Sequence, residues 1–586
     1  MRKSSRKRIS TSLPQKHWRI SALVLFVFGL STVLIARLAL LQVVQHDSYV
    51  SRAGAQQSVS RELPPERGEI FLSDQGEPYP VAVNRQYFLV YAVPGEVQDP
   101  VRAARELSGA LDIDESALRE KLAKTSDPFE VIKHRLSDEE VERVHALHIG
   151  GIFLLPEIFR YYPGFDLASQ TIGFVGMRGD RYEGQYGIEA SFEDALKGES
   201  GFVSSKRDAG GRQIALGEKS FLAPEGGVNL VLTVERVVQY EIEKILKDAI
   251  ETFQADSGTI VVMDPTTGSI LGLASFPDFN PNEYSKAENV ETFLNPAVSF
   301  AYEPGSVMKP ITMAIGIEDG KVHAHTEYVD TGFVKEGGFV IKNAEGKVYG
   351  RSTMMQVLDE SINTGVIFVE RLVGNERFRE YFTRFGFGEK TGISLPAETA
   401  GNIRNLENTN RSTEFFTASF GQGVTVTPIQ LANAYAALAN GGILMRPRIV
   451  DRQIFSDGRV EMVPPEEIRS VVSKDTAREI GMMLRDVVVN GHGKRADVPG
   501  YLVVGKTGTA QVAKSDAKGY EEGTNIGSFA GYAPLNDPKF VVLVKIDNPK
   551  NVEWAESSAA PTFQKVMKFL LESSNIEPTE TVGKQK

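Results

Sequence analysis

Residues 20–36 carry no charged side chain and are rich in Leu, Val, Ile and Phe, and residues 38–44 prolong the apolar run. A helix rises ~1.5 Å per residue, so residues 20–44 suffice to cross the ~30 Å hydrocarbon layer of a bilayer. A cleaved signal peptide has a shorter apolar region, roughly 7–15 residues, so the run predicts an uncleaved anchor. Arg2, Lys3, Arg6, Lys7, Arg8, Lys16 and Arg19 precede it without an acid. That bias places residues 1–19 in the cytoplasm and everything after Gln45 on the outer face. No later run is long enough to span again, so the expectation is a single-pass membrane protein with a large extracytoplasmic body.

At 586 residues the chain exceeds one core, and two or three domains are expected. The net charge of -11 includes the seven cations of the tail, so the remainder stands near -18, which argues against nucleic acid as a partner. Without cysteine there is no disulfide, thiolate nucleophile or Cys-ligated zinc. His145 with His148, and His323 with His325, lack carboxylates at ligand spacing, so neither a metal nor another cofactor is expected.

Residues 45–222 mix strand-like pieces with charged helical ones such as 138–148. Arg67-Gly68-Glu69-Ile70-Phe71 ahead of Asp74-Gln75-Gly76 reads as a strand entering a turn. No catalytic cluster occurs there, so this part is expected to be a mixed α/β pedestal for spacing or docking. The texture changes after it. From Thr233 to about Phe253, Val234, Val238, Ile242, Ile245 and Ala249 recur at helical spacing. Residues 258–263 and 269–274 flank Asp264-Pro265-Thr266-Thr267-Gly268 as a hairpin. Strand candidates at 501–512, 527–532 and 540–546 and a helix at 561–571 complete residues 223–573, with 574–586 as a tail. The fold class expected is α+β, an antiparallel sheet flanked by helices with a long, mostly helical subdomain inserted.

Within residues 223–573 stand Ser306-Val307-Met308-Lys309, Ser361-Ile362-Asn363 and Lys506-Thr507-Gly508-Thr509, their first residues 55 and 145 positions apart. Ser306 follows the turn Glu303-Pro304-Gly305 and leads into Ile311 and Ile315, so it is expected at a helix start, where free N–H groups favour developing negative charge. Lys309 shares its helix face, and a lysine kept neutral by burial can take the serine proton. Pro310, just inside that helix, is expected to cost a backbone hydrogen bond. Ser361 and Asn363 are placed on a loop, the hydroxyl to relay a proton and the amide to hold a substrate amide or Lys309. Lys506, Thr507 and Thr509 on a strand can hold a carboxylate, Gly508 lets a ligand approach, and the Thr509 N–H can join that of Ser306 as an oxyanion hole. Lookalikes at Ser4-x-x-Lys7, Ser515-x-x-Lys518, Lys390-Thr391-Gly392 and a Ser-x-Asn ending at Asn575 lack this context.

Such a trio is shared by penicillin-binding proteins and serine β-lactamases. Over almost its whole length after the tail, the chain resembles a class B penicillin-binding protein, the monofunctional membrane-anchored peptidoglycan D,D-transpeptidase. Arg67-Gly68 with Ile70 and Gly187-Ile188-Glu189 with Leu196-Lys197-Gly198 resemble pedestal motifs of that family, although Ser73-Asp74-Gln75-Gly76 departs from its usual Asp-Arg-Asn-Gly. Glu303-Pro304-Gly305-Ser306 through Lys309-Pro310, Gly421-Gln422-Gly423 with Thr427-Pro428 and Gln430, and Phe529-Ala530-Gly531-Tyr532 resemble catalytic-half patterns. The resemblance implies a penicillin-binding/serine β-lactamase-like transpeptidase domain after a dimerisation-like pedestal. It implies Ser306 as the acylated nucleophile, Lys309 as general base, Ser361 and Asn363 as the second motif, and Lys506, Thr507, Gly508 and Thr509 as carboxylate binders; whether Lys309 is the only acylation base stays open. Implied substrates are stem peptides on lipid-linked precursor strands, with β-lactams as covalent ligands. Implied partners, through anchor and pedestal, are a membrane glycosyltransferase and division or elongation proteins. A compact pedestal and no C-terminal repeat module favour the septal enzyme.

Two other classes compete. A β-lactam hydrolase or sensor on the same fold needs a deacylating glutamate after the second motif, but Glu291-Thr292-Phe293-Leu294-Asn295 precedes Ser306. A bifunctional synthase would need an acidic glycosyltransferase motif that residues 45–218 do not supply. A noncatalytic envelope scaffold would not require every motif residue to be intact.

Overall fold

The computed structural model describes residues 18–49, 58–179, 181–206, 220–513 and 519–578, so all but the end of the basic tail and the lookalikes at Ser4 and Ser515 lie outside the described residues. The chain forms two units, residues 1–65 with 199–225, and residues 66–198 with 226–586. In the first, helix Trp18–Ala39 continues as the π-helix Leu40–Val44, with none of its 27-residue apolar span buried against protein. Its length and composition are those of a membrane-crossing helix. The same unit holds an antiparallel sheet of Ser58–Leu63, Gly201–Lys206 and Ser220–Leu222.

In the second unit the pedestal and the catalytic half share a sheet. Its order is Val460–Met462, Val450–Ile454, Asn229–Glu235, Ile70–Asp74, Glu77–Ala92 and Glu130–Leu136, with Ile152–Tyr161 also paired to Glu77–Ala92. Ile70–Asp74 runs parallel to Asn229–Glu235, Ile70 opposite Leu230. Gly68 makes this approach possible: a Cβ there would lie 2.0 Å from the Val228 carbonyl oxygen. Thr233 and Val234 belong to this strand, so the helix expected from Thr233 begins instead at Arg236 and ends at Phe253.

The two pedestal motifs, far apart in sequence, meet in a buried cluster. Arg67 donates from Nε and Nη2 to Glu189 Oε2 at 2.9 and 2.6 Å and from Nη2 to Glu193 Oε2 at 2.7 Å. Arg160 Nε and the Tyr162 hydroxyl donate to Glu189 Oε1 at 2.6 and 3.2 Å. Burial opposes the charge of Glu189, yet Arg160 and Arg67 hold its carboxyl below the usual range.

The catalytic half is built on a five-stranded antiparallel sheet in the order Ile270–Phe276, Ser257–Met263, Phe540–Asp547, Tyr520–Ala533 and Val504–Ala513. Val542 and Val544 pack with Ile242 and Phe563 of the helices Arg236–Phe253 and Ala559–Ser573, while Val541 and Leu543 pack with Ile429 of Pro428–Ala439. Burial on both faces explains why this strand reads as an unbroken apolar run. Tyr520–Ala533 is longer than the 527–532 read from sequence, because Glu521, Gly523 and Thr524 give no strand periodicity. Val504–Ala513 is the sheet's edge.

Candidate active site

Ser306 lies in a 3-10 turn, Gly305–Met308, that runs directly into helix Lys309–Glu318. Pro310 is therefore in the first turn of the α-helix, where its missing N–H has no intrahelical partner to lose, and the expected cost is not incurred. The turn is fixed from two sides. Gly305, at φ 65°, donates its N–H to the Gly421 carbonyl at 3.0 Å, and Gly423 donates to Glu303 Oε1 at 3.0 Å. Tyr520 holds the other Glu303 oxygen at 3.1 Å. From the sheet side, a Cβ on Gly508 would stand 2.8 Å from the Pro304 carbonyl oxygen and 2.9 Å from Val307 Cγ1. In this structure Gly508 thus admits the Ser306 turn against the edge strand, a closer demand than the ligand approach expected of it.

Lys309 is fully buried while Ser306 is half-buried. Lys309 Nζ donates to the Ser361 carbonyl and, at 3.1 Å, to Ser361 Oγ. Burial, then the charge of Lys506, push the Lys309 ammonium well below the usual lysine range, which favours its free-base form. Ser361 sits at φ 55° between helices Met354–Asp359 and Asn363–Val373, a left-handed conformation that costs a non-glycine residue energy and turns its carbonyl to Lys309. Asn363 opens the second of these helices and is not in a loop. Its Nδ2 donates to the Lys342 carbonyl at 3.0 Å, not to Lys309. Next to it Thr364 is clamped by Asn343 Oδ1 at 3.0 Å and Asp330 Oδ1 at 2.6 Å. This polar clamp gave no sequence signal, because Asp330 and Asn343 lie in hairpins without a motif.

Lys506 is fully buried on the edge strand, its Nζ 3.2 Å from both the carbonyl and Oγ1 of Thr507. Burial lowers it to about 8, against the opposing pull of Asp359 and Glu556. Thr509 Oγ1 accepts the Ala555 N–H at 3.1 Å, which leaves its own proton for a ligand. All three motifs thus converge: the serine turn packs on the Lys-Thr-Gly strand, and the lysine of the first motif bonds the serine of the second. Together they can activate a hydroxyl and bind an anion in a water-poor setting. The lookalikes stand elsewhere. Lys390 is exposed in a glycine-rich loop whose Thr391 is tied to Glu398, and Asn575 follows the last helix. Glu291 is exposed in a 3-10 turn whose Phe293 packs edge-on against Phe174 of the pedestal.

Comparison with known proteins gives the same picture. Residues 258–568 match the penicillin binding protein transpeptidase domain, and residues 62–232 the penicillin-binding protein dimerisation domain. Stage V sporulation protein D of Bacillus subtilis is 34% identical over 95% of this chain and 86% of its own length. A probable peptidoglycan D,D-transpeptidase, PenA, of Neisseria meningitidis is 32% identical over 96% of this chain and 94% of its own. Penicillin binding protein 3 of Mycobacterium tuberculosis, solved in complex with aztreonam, superposes with a TM-score of 0.69 at 26% identity, covering 89% of this chain and 98% of that one.

Proposed function

Because the chain belongs to the class B penicillin-binding proteins, we propose that it is a serine-type peptidoglycan D,D-transpeptidase that cross-links stem peptides and is acylated by β-lactams. The observation that carries this is the buried, weakly basic Lys309 gripping Ser361 one turn from the half-buried Ser306. Lys309 takes the Ser306 proton as Oγ attacks the carbonyl of the D-Ala-D-Ala bond. The N–H groups of Ser306 and Thr509 receive the oxyanion. Ser361 passes a proton to the departing amine, and D-alanine leaves. Lys506, Thr507 and Thr509 hold the terminal carboxylate, Gly508 keeps the strand against the turn, and Asn363 borders the cleft. An amine of a neighbouring strand then attacks the Ser306 ester, gives up a proton and restores the hydroxyl. A β-lactam follows only the first half, since its leaving amine stays tethered.

Residues 1–19 are assigned to the cytoplasm, 20–44 to the anchor, 45–222 to the pedestal and 223–573 to the transpeptidase on the outer face. A membrane glycosyltransferase and division proteins are the assigned partners, and septal wall the assigned site of synthesis. Incubating the extracytoplasmic body with a fluorescent β-lactam, wild type against Ser306→Ala, tests the chemistry. Long-lived labelling lost in the variant is expected; rapid turnover of the drug would favour the hydrolase, and no labelling of either would favour a scaffold. Depletion from its native cell is expected to give filaments, and rounded cells would overturn the septal assignment.

A further inference from the structure

The second and third motifs come from distant parts of the chain, and one short segment touches the surroundings of both. Residues 490–503 run from the end of helix Lys474–Val489 to the start of strand Val504–Ala513. Gly491 lies so close to the backbone of Asp359, two residues before Ser361, that a Cβ would stand 2.7 Å from both its Cα and its carbonyl oxygen. His492 then donates its backbone N–H to that carbonyl at 3.2 Å. Gly493 turns back, its N–H bonded to the Val487 carbonyl at 3.0 Å, so the backbone from which the His492 side chain projects is held on both sides.

From there the imidazole reaches an acid beside each motif. Its Nδ1 is 3.2 Å from Glu556 Oε2, and its Nε2 is 3.9 Å from Glu360 Oε2. An ionised carboxylate only accepts, so Nδ1 is the donor in the closer contact. Both acids adjoin groups of the cleft. Glu360 directly precedes Ser361, whose carbonyl and hydroxyl oxygens take Lys309 Nζ. Glu556 directly follows Ala555, whose N–H bonds Thr509 Oγ1 at 3.1 Å. Arg495 adds a second bond from the segment to the same loop, Nη1 to Ser557 Oγ at 3.2 Å.

We propose that His492 is a positioning residue whose imidazole ties the loop that holds Thr509 to the turn that carries Ser361, and so keeps the second and third motifs in register for a carboxylate-bearing acyl donor. The proposal rests on the transpeptidase reading, in which Thr509 holds the donor carboxylate. The tie acts before bonds are made. Thr509 has to meet the carboxylate while the scissile carbonyl sits at Ser306, whereas removal of the serine proton depends on Lys309, which is fixed from its own helix. Loss of the tie therefore weakens the complex that precedes acylation and leaves the acylation step itself in place.

The test separates the dissociation constant of the pre-acylation complex from the acylation rate constant, using a carboxylate-bearing β-lactam and the full chain in detergent. It compares wild type, His492→Ala, His492→Asn, Glu556→Ala, the His492→Ala and Glu556→Ala double variant, and Thr509→Val, with thermal unfolding of each. The dissociation constant is expected to rise about fivefold in His492→Ala and in Glu556→Ala and no further in the double variant, with the rate constant within about twofold of wild type. His492→Asn, which keeps a donor near the place of Nδ1, should recover most of the affinity. A merely structural role would lower stability and leave the dissociation constant alone. A histidine acting only as a positive charge near the ligand would make Glu556→Ala bind more tightly. Either result, or losses that add in the double variant, overturns the proposal. A wild type that is not acylated overturns the transpeptidase reading, and a Thr509→Val variant that binds like wild type overturns the carboxylate role of Thr509; each takes the proposal with it. Weakened binding in Thr509→Val beside unchanged binding in His492→Ala overturns the proposal alone. Should His492→Ala not fold, Glu556→Ala decides.

Discussion

The pedestal and the cleft each bury a group of charges, and they do so in opposite ways. In the pedestal, Glu189 is saturated by Arg67, Arg160 and Tyr162, and its charge is held more firmly than in water. In the cleft, Lys309 and Lys506 lie buried near each other, bonded to neutral oxygens, and both are less basic than in water. A paired charge fixes a shape, whereas a buried cation without a carboxylate in contact stays available to lose a proton or take an anion.

The largest expected effect comes from removing the poised charge. Lys309→Met should slow acylation ~10⁴-fold while leaving the protein as stable or more so, since a buried ammonium gives way to an apolar chain of similar length. Acylation kinetics beside a melting curve read both; a large loss of stability would break the contrast. Glu189→Gln should do the reverse, costing about 3 kcal/mol by leaving Arg160 uncompensated and Arg67 with Glu193 alone, with the acylation rate of the folded fraction unchanged. Denaturant unfolding with active-site titration checks it.

The smallest effect sharpens the comparison through pH. Glu370 is fully buried in helix Asn363–Val373, neither carboxyl oxygen has a hydrogen-bond partner, and burial raises it to about 8. Its folded value lies above the unfolded one of about 4.5, so the folded state keeps a proton the unfolded state loses. Stability should therefore fall as pH rises from about 4.5 to 8, and Glu370→Gln should remove that slope, gaining stability at the alkaline end and nothing near pH 4. Glu189, held low, stabilises above the ordinary carboxylate range and fails as pH falls. Unfolding free energies at several pH values should show the two halves weakening at opposite ends.

The sequence was most legible where chemistry restricts the residue. A serine hydroxyl beside a buried lysine, and a second lysine on the strand, admit few substitutes for the chemistry proposed, and the structure brings all three motifs together. The hairpin around residues 264–268 and the apolar run at 541–544 were legible because turn residues and two-sided burial leave plain periodicity. What stayed hidden depended on contacts across the fold. Gly508 reads as a ligand approach until the Pro304 carbonyl is seen beside it. Asp359 looks like any polar residue near a helix end, and only the packing of Gly491 and His492 shows that it is enclosed. Asn363 was read into a loop because Thr364-Gly365 follows it, yet Gly365 lies within the helix with Val357 packed against it.

The sheet shared by pedestal and catalytic half has a mechanical meaning. Ile70–Asp74 and Asn229–Glu235 are laced by backbone hydrogen bonds, and the latter strand feeds directly into the helix that backs the five-stranded sheet. A joint made this way is stiff where a tether would be slack. A pull on residues 66–198, the part of the pedestal that lies in the same unit as the cleft, is therefore carried through hydrogen-bonded strands to the helix behind the five-stranded sheet, with no slack linker between.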